Sequence, residues 1–173
     1  MQLQTIDKAL YRKRLNILLA VNIIVLLATS LSVSNILIAF FGSEVDGDNF
    51  WLNIAGVITG LAVMAGLFNI LVKKPFMAEI NYVRKLKQEM NRIYRSSKKV
   101  QEAVEKNNEK ALIISYFNLQ ASKQVYELDN NTLTMDELNE KIRLLDEKLV
   151  ELKLDLDESD YRPELLSELL AEY

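Results

Sequence analysis

Two long apolar runs open this chain, at residues 15–41 and 50–72. After them, apolar positions recur at helical spacing among charged ones. Neither run contains Asp, Glu, Lys or Arg. About 20 such residues cross the hydrocarbon core of a bilayer. Both runs are therefore predicted to be transmembrane helices, the first long enough to tilt or protrude. A buried core helix is the bland alternative, and two back-to-back uncharged runs of this length argue against it. A cleaved signal peptide would fit the basic start of the first run. Signal-peptide apolar cores, however, extend for only about 7–15 residues, so an uncleaved span is expected.

Flanking charge predicts the orientation. Lys8, Arg12, Lys13 and Arg14 precede the first span, and Lys73 and Lys74 follow the second. The link at residues 42–49 has no Lys or Arg and carries Glu44, Asp46 and Asp48. Basic flanks stay on the cytoplasmic side, which places both termini inside and the link outside. Phe50 and Trp51 are expected to anchor the outer edge of the second span, since aromatic rings favour the interface. The lead at residues 1–14 is cytoplasmic in this reading. Leu3, Ile6 and Leu10 share one helical face there and suit a turn or two lying on the membrane.

Spans associate through close packing and polar contacts. Gly56 and Gly60 stand four apart in the second span, as do Ala62 and Gly66, with Ala55 and Thr59 beside the first pair. Gly56 and Gly60 could face either the first span or another copy. The spans also carry asparagines, among them Asn22 and Asn35 in the first and Asn53 and Asn69 in the second. Antiparallel pairing would bring Asn22 to the level of Asn69, and Asn35 to that of Asn53, as packing contacts. No ionisable residue lies within either span, which argues against a proton or ion relay.

Residues 73–154 are predicted to form a cytoplasmic antiparallel helical bundle, so that the fold class is all-α. Pro75 suits the first turn of a helix or marks a kink. From Phe76 to about Lys106, Val83, Leu86, Met90, Ile93, Ser97, Val100 and Val104 make a coiled-coil-like seam. Its flanks lack a pairing code, which favours packing within the chain. Asn107-Asn108 is a turn. Glu109 to about Leu128 is helical and apolar nearly all round, which predicts burial at the domain centre. Thr134 and Glu137 stand at capping-box spacing, ahead of a third seam through Leu138, Ile142, Leu145, Leu149 and Leu152. Three helices joined by short turns argue for a bundle. Residues 155–173 read as an acidic linker and a short helix opened by Pro163. Its stripe of Leu165, Leu166, Leu169 and Leu170 either docks on the bundle or binds a partner.

Composition removes whole classes of chemistry. The chain has no cysteine and no histidine. Thiol catalysis, the Ser-His-Asp triad and thiolate or imidazole zinc sites are therefore excluded. Five glycines and two prolines leave no phosphate-binding loop. The acidic run Asp155, Asp157, Glu158 and Asp160 fails the calcium-loop pattern, which needs glycine at its sixth position and glutamate at its twelfth. Those positions are Asp160 and Leu166. The net charge of −3 is uneven. Residues 73–106 hold ten Lys/Arg against four Asp/Glu, and residues 127–173 hold five against fifteen. The basic part suits anionic lipid headgroups, with Arg12, Lys13, Arg14, Lys73 and Lys74 at the membrane face. Nothing beyond charge suggests nucleic acid.

Several stretches carry a family resemblance. They are Asp48-Asn49-Phe50-Trp51-Leu52-Asn53, Pro75-Phe76-Met77-Ala78-Glu79, Tyr82-Val83-Arg84-Lys85-Leu86-Lys87 and Asn91-Arg92-Ile93-Tyr94. Tyr126-Glu127-Leu128-Asp129-Asn130-Asn131-Thr132-Leu133-Thr134 and Tyr161-Arg162-Pro163-Glu164-Leu165-Leu166 complete the set. Together they resemble the bacterial domain-of-unknown-function 3087 family, small membrane proteins of gammaproteobacteria. The resemblance covers nearly the whole chain. It implies two spans in a bacterial inner membrane and supplies no activity. The expectation is a membrane-anchored, non-enzymatic interaction or scaffold module without cofactor or metal, binding another protein or a second copy of itself. A subunit of a small oligomeric transporter or channel is the alternative.

Overall fold

The computed structural model describes residues 2–43 and 49–172; the acidic positions Glu44, Asp46 and Asp48 of the predicted outer link lie outside them. The described residues are all-α, with two long apolar helices followed by a helical region. These are α1 (Lys8–Phe41), α2 (Phe50–Leu71), α3 (Ala78–Arg95), α4 (Ser97–Glu105), α5 (Glu109–Asp129), α6 (Met135–Leu152) and α7 (Glu164–Glu172). Short 3₁₀ turns stand at Pro75–Met77 and Glu158–Asp160.

Two compact units result. One is Ala9–Asn81; the other joins the lead up to Lys8 to the chain from Tyr82 onward. The boundary thus falls inside α3 and not at the end of the second apolar run.

In the first unit, α1 and α2 are long and apolar enough to cross a membrane. In the most apolar stretch of each, 17% and 11% of the residues are buried. Ile24, Leu31, Phe40, Ile58 and Trp51 are all exposed. A soluble core helix would hide such side chains. The two helices meet where side chains are smallest: Gly56 and Gly60 of α2 are buried against Ser34 and Ser30 of α1. The glycine pair therefore faces the first span. Asn49 closes the link, donating to the Ser43 carbonyl and accepting from the Ser43 amide, each at 3.0 Å. At the far end, the Asn81 amide caps α2 by donating to the Val72 carbonyl at 2.6 Å.

The second unit is arranged around α5, which touches α4, α6, α7 and the Glu158–Asp160 turn. Ala111, Leu112, Ile114, Phe117, Ala121, Val125 and Leu128 of α5 are buried, as its all-round apolarity requires. Asn108 caps its start, accepting from the Ala111 amide. Asn130 ends it in the left-handed conformation, which asparagine tolerates. The 83–104 seam lies inside the chain: Val83, Leu86, Ile93 and Val100 are all buried.

Four local expectations are corrected. The lead is not a helix on the membrane: residues 2–7 are non-helical, and α1 begins only at Lys8. The expected single helix from Phe76 to Lys106 starts with a 3₁₀ turn and breaks at Ser96, so its seam is not one continuous coiled coil. Thr134 makes no cap bond: its backbone lies outside the extended region usual for a capping residue, and the Glu137 side chain pairs with Lys141 at 2.6 Å. The acidic run is not a plain linker: Asp157 and Asp160 form a reciprocal capping box around the short turn.

The glycine contacts generate a direct test. A methyl group at Gly56 would stand 2.6 Å from the Ser30 carbonyl oxygen, whereas one at Gly66 would meet nothing within 4 Å. Gly56→Ala is expected to lower stability by about 1–3 kcal/mol, the ordinary cost of overpacking. Gly66→Ala should leave it unchanged or slightly raised. Unfolding of the full chain in mixed detergent micelles reads both.

Candidate functional site

The polar side chains of the apolar helices divide sharply. Ser34 Oγ donates to the Asn53 carbonyl at 3.4 Å. Ser30 Oγ and Asn22 Oδ1 are buried without a hydrogen-bond partner. Asn35, Asn53 and Asn69 have exposed side chains, and among the described residues no hydrogen bond joins one asparagine side chain to another. The expected asparagine packing contacts are therefore replaced by Ser30 and Ser34 against Gly56 and Gly60. The reason is steric. Glycine brings the backbones too close for asparagine but close enough for serine. Gly66 is exposed and stands away from this contact. The four-residue spacing of Ser30 and Ser34 in an otherwise apolar run was the signal that could have found them.

The basic residues divide too. Arg14 is consumed: it pairs with Glu79, donates to the Pro75 carbonyl at 3.3 Å and lies 5.7 Å from the Phe76 ring centroid. It latches the start of α1 to the segment after α2 and is not a free membrane-facing cation. Lys13, Lys73 and Lys74 are exposed, and Arg12 is half-buried.

The leucine stripe of α7 is occupied. Leu165, Leu166 and Leu169 are buried and Leu170 is half-buried, so they are not open to a partner. Polar contacts reinforce the docking. Lys110 bridges Glu168 at 3.3 Å and Glu172 at 2.7 Å, and Arg92 donates to Ser167 Oγ at 2.8 Å. Its keystone is Tyr161, which sequence reasoning missed. The ring stacks on Phe117 with centroids 4.0 Å apart. Its hydroxyl donates to Glu89 at 2.5 Å. Burial first, then the Glu89 carboxylate, pushes the phenol well above its ordinary range. Burial raises Tyr82 and Tyr116 as well.

A second missed cluster holds the lead. The Gln4 amide donates to the Tyr82 hydroxyl at 2.8 Å, and the Gln4 carbonyl accepts from Gln124 at 2.6 Å. Tyr82 also donates to Gln124 Oε1 at 2.8 Å. Two side chains thus engage both backbone polar groups of Gln4, in a segment that has no helix to satisfy them.

What remains open is a groove of about 400 Å³ between the α3–α4 junction, α5 and α6. Ile93, Val100, Leu119 and Leu145 supply apolar lining, and the exposed Tyr94 and Leu144 stand at its edge. Its charged lining residues are Lys141 and Lys148. Lys148 also donates to the Val104 carbonyl at 2.6 Å. An apolar opening with a lysine rim can bury a helix or a loop. Among the described residues, no group of three or more carboxylates could hold a metal ion.

The family model described as "Protein of unknown function (DUF3087)" matches residues 1–166. No curated protein and no solved structure matches the chain.

Removing the Tyr161 hydroxyl tests the keystone. Tyr161→Phe should cost about 1.5–3 kcal/mol, the range for a hydrogen bond to a charged group. The pH sign follows from the raised phenols. Their folded-state protonation is matched by the unfolded chain below the ordinary value of 10.0, and stability is lost as pH rises through and beyond it. Urea unfolding at pH 8 and pH values above 10 should show this alkaline loss, and Tyr161→Phe should shrink it.

Proposed function

This chain belongs to the DUF3087 family, and we propose that it is a membrane-anchored, non-enzymatic interaction or scaffold protein. In this reading α1 and α2 cross a bacterial inner membrane as a hairpin, and the bundle around α5 lies in the cytoplasm with both termini. Their length and exposed apolar surface support spanning. The basic residues at both inner ends and the acidic link support the orientation. Phe50 and Trp51, exposed and in edge contact, suit the outer interface.

The observation that carries the reading is the apolar groove at Tyr94 and Leu144. The bundle buries most of the leucine stripe of α7 and leaves this apolar groove open, with Tyr94 and Leu144 exposed at its edge. An open apolar face with charged edges binds protein more readily than it does chemistry. Lipid headgroups are the second partner, through Lys13, Lys73 and Lys74. Neither nucleic acid nor a cofactor is part of this proposal.

A second reading, a subunit of a small oligomeric transporter or channel, is favoured by one observation. Asn35, Asn53 and Asn69 are exposed polar groups on otherwise apolar helices, and a further copy could satisfy them.

Purification of the full chain from its own host in mild detergent, with mass analysis of what co-purifies, separates the two. Another protein at fixed ratio, or a dimer held through the bundle, is the expected result. A higher homo-oligomer whose transport fails when Asn35, Asn53 or Asn69 becomes Leu would support the second reading instead. Orientation is tested in intact cells with single cysteines. Asp46→Cys should react with an impermeant outside reagent and Ser167→Cys should not; the reverse pattern would sink the proposed topology.

A further inference from the structure

We propose that the open face of α6 is a self-complementary surface, and that its occupant is a second copy of this chain crossing antiparallel at Leu144. This rests on the interaction-module reading and names the partner for its groove. The outer side of α6 carries a repeating charge pattern. Glu140 and Lys141 precede Leu144, and Glu147 and Lys148 follow it one heptad later. Leu144 is 51% exposed although it borders the apolar groove.

Two α6 helices related by a two-fold axis through Leu144 would place Leu144 on Leu144. Lys141 of one copy would then stand opposite Glu147 of the second, and Glu140 opposite Lys148. Each pair occurs twice, so four opposite-charge pairs would flank one apolar contact. A parallel arrangement in register would instead set like against like. The pattern therefore selects both the partner and its direction, as a two-fold interface requires. The pairs set register more than affinity, and the apolar surface of Leu144 and Tyr94 at the groove mouth supplies the burial.

Existing contacts do not block this arrangement. Arg143 engages Glu140 and Glu147 along the helix, Lys141 engages Glu137, and Lys148 donates one hydrogen bond to the Val104 carbonyl. A carboxylate accepts several hydrogen bonds and an ammonium donates three, so each retains capacity. One juxtaposition opposes it: Glu137 would approach Glu151 of the second copy. Those residues lie farther from the crossing point than the charge pairs, and helices packed at the common crossing angle of about −50° diverge with that distance. Val150 is 78% exposed but lies on another side of α6, off the proposed face.

The chain has no native cysteine, which makes the test clean. Leu144→Cys in the full chain, in its native membrane, should form a disulfide-linked dimer under copper–phenanthroline oxidation. Val150→Cys should cross-link at least about five-fold less. Adding Lys141→Glu and Lys148→Glu to Leu144→Cys should reduce cross-linking, and further adding Glu140→Lys and Glu147→Lys should restore it. A monomer from Leu144→Cys, equal cross-linking from Val150→Cys, or no restoration by the reversed charges would overturn the proposal. If Leu144→Cys stays monomeric while a foreign protein still co-purifies at fixed ratio, the second copy is excluded and the interaction module stands. If nothing co-purifies either, both fail together.

Discussion

Close backbone approach at Gly56 and Gly60 is the constraint on which the apolar hairpin depends. Helices long and apolar enough to cross a membrane would gain little there from burying leucine. What brings them together is contact distance and the few polar groups that reach across. Glycine supplies the distance and Ser30 and Ser34 fill it. The same contact sends Asn35, Asn53 and Asn69 outward, because a face built for glycine has no room for an amide. Near the open end of the hairpin, Arg14 on Glu79 and Asn81 on the Val72 carbonyl tie the entering and leaving segments.

The bundle obeys the opposite rule. Apolar area is what organises it, and α5 has apolar area all round. Its neighbours each cover one side. The C-terminal segment covers another, and Tyr161 shows how firmly. A buried phenol that stacks on Phe117 and donates to Glu89 fixes both the position and the direction of the chain entering α7. The acidic segment thus becomes structural. Asp157 and Asp160 cap a turn, and Glu168 and Glu172 hold Lys110. Lys87 on Asp129 adds one more tie between the basic and acidic parts of the chain.

Once these obligations are met, an apolar groove stays open beside the exposed Tyr94 and Leu144. Of the lysines there, Lys148 donates to the Val104 carbonyl and Lys141 pairs with Glu137. The functional reading follows from this remainder and owes nothing to any cluster of reactive groups.

Much of the fold was legible in the residues themselves. The two apolar runs, the buried helix at Glu109–Asp129 and the asparagine turns follow from periodicity, charge and local conformational preference, which act over a few residues. The break at Ser96 and the missing cap at Thr134 were not legible, because the seam spacing and the capping-box spacing run on through them unchanged. The glycine face, the spent Arg14, the grip on Gln4 and the role of Tyr161 belong to tertiary structure alone. Each joins residues far apart in the chain, and a sequence read locally carries no record of which distant side chain wins a given partner. The sequence by itself determined that the chain is helical, where its apolar surface lies and which reactions lack their residues, since these depend on side-chain chemistry alone. Tertiary packing decided which surface remains open, since exposure is what is left after every other contact has been made.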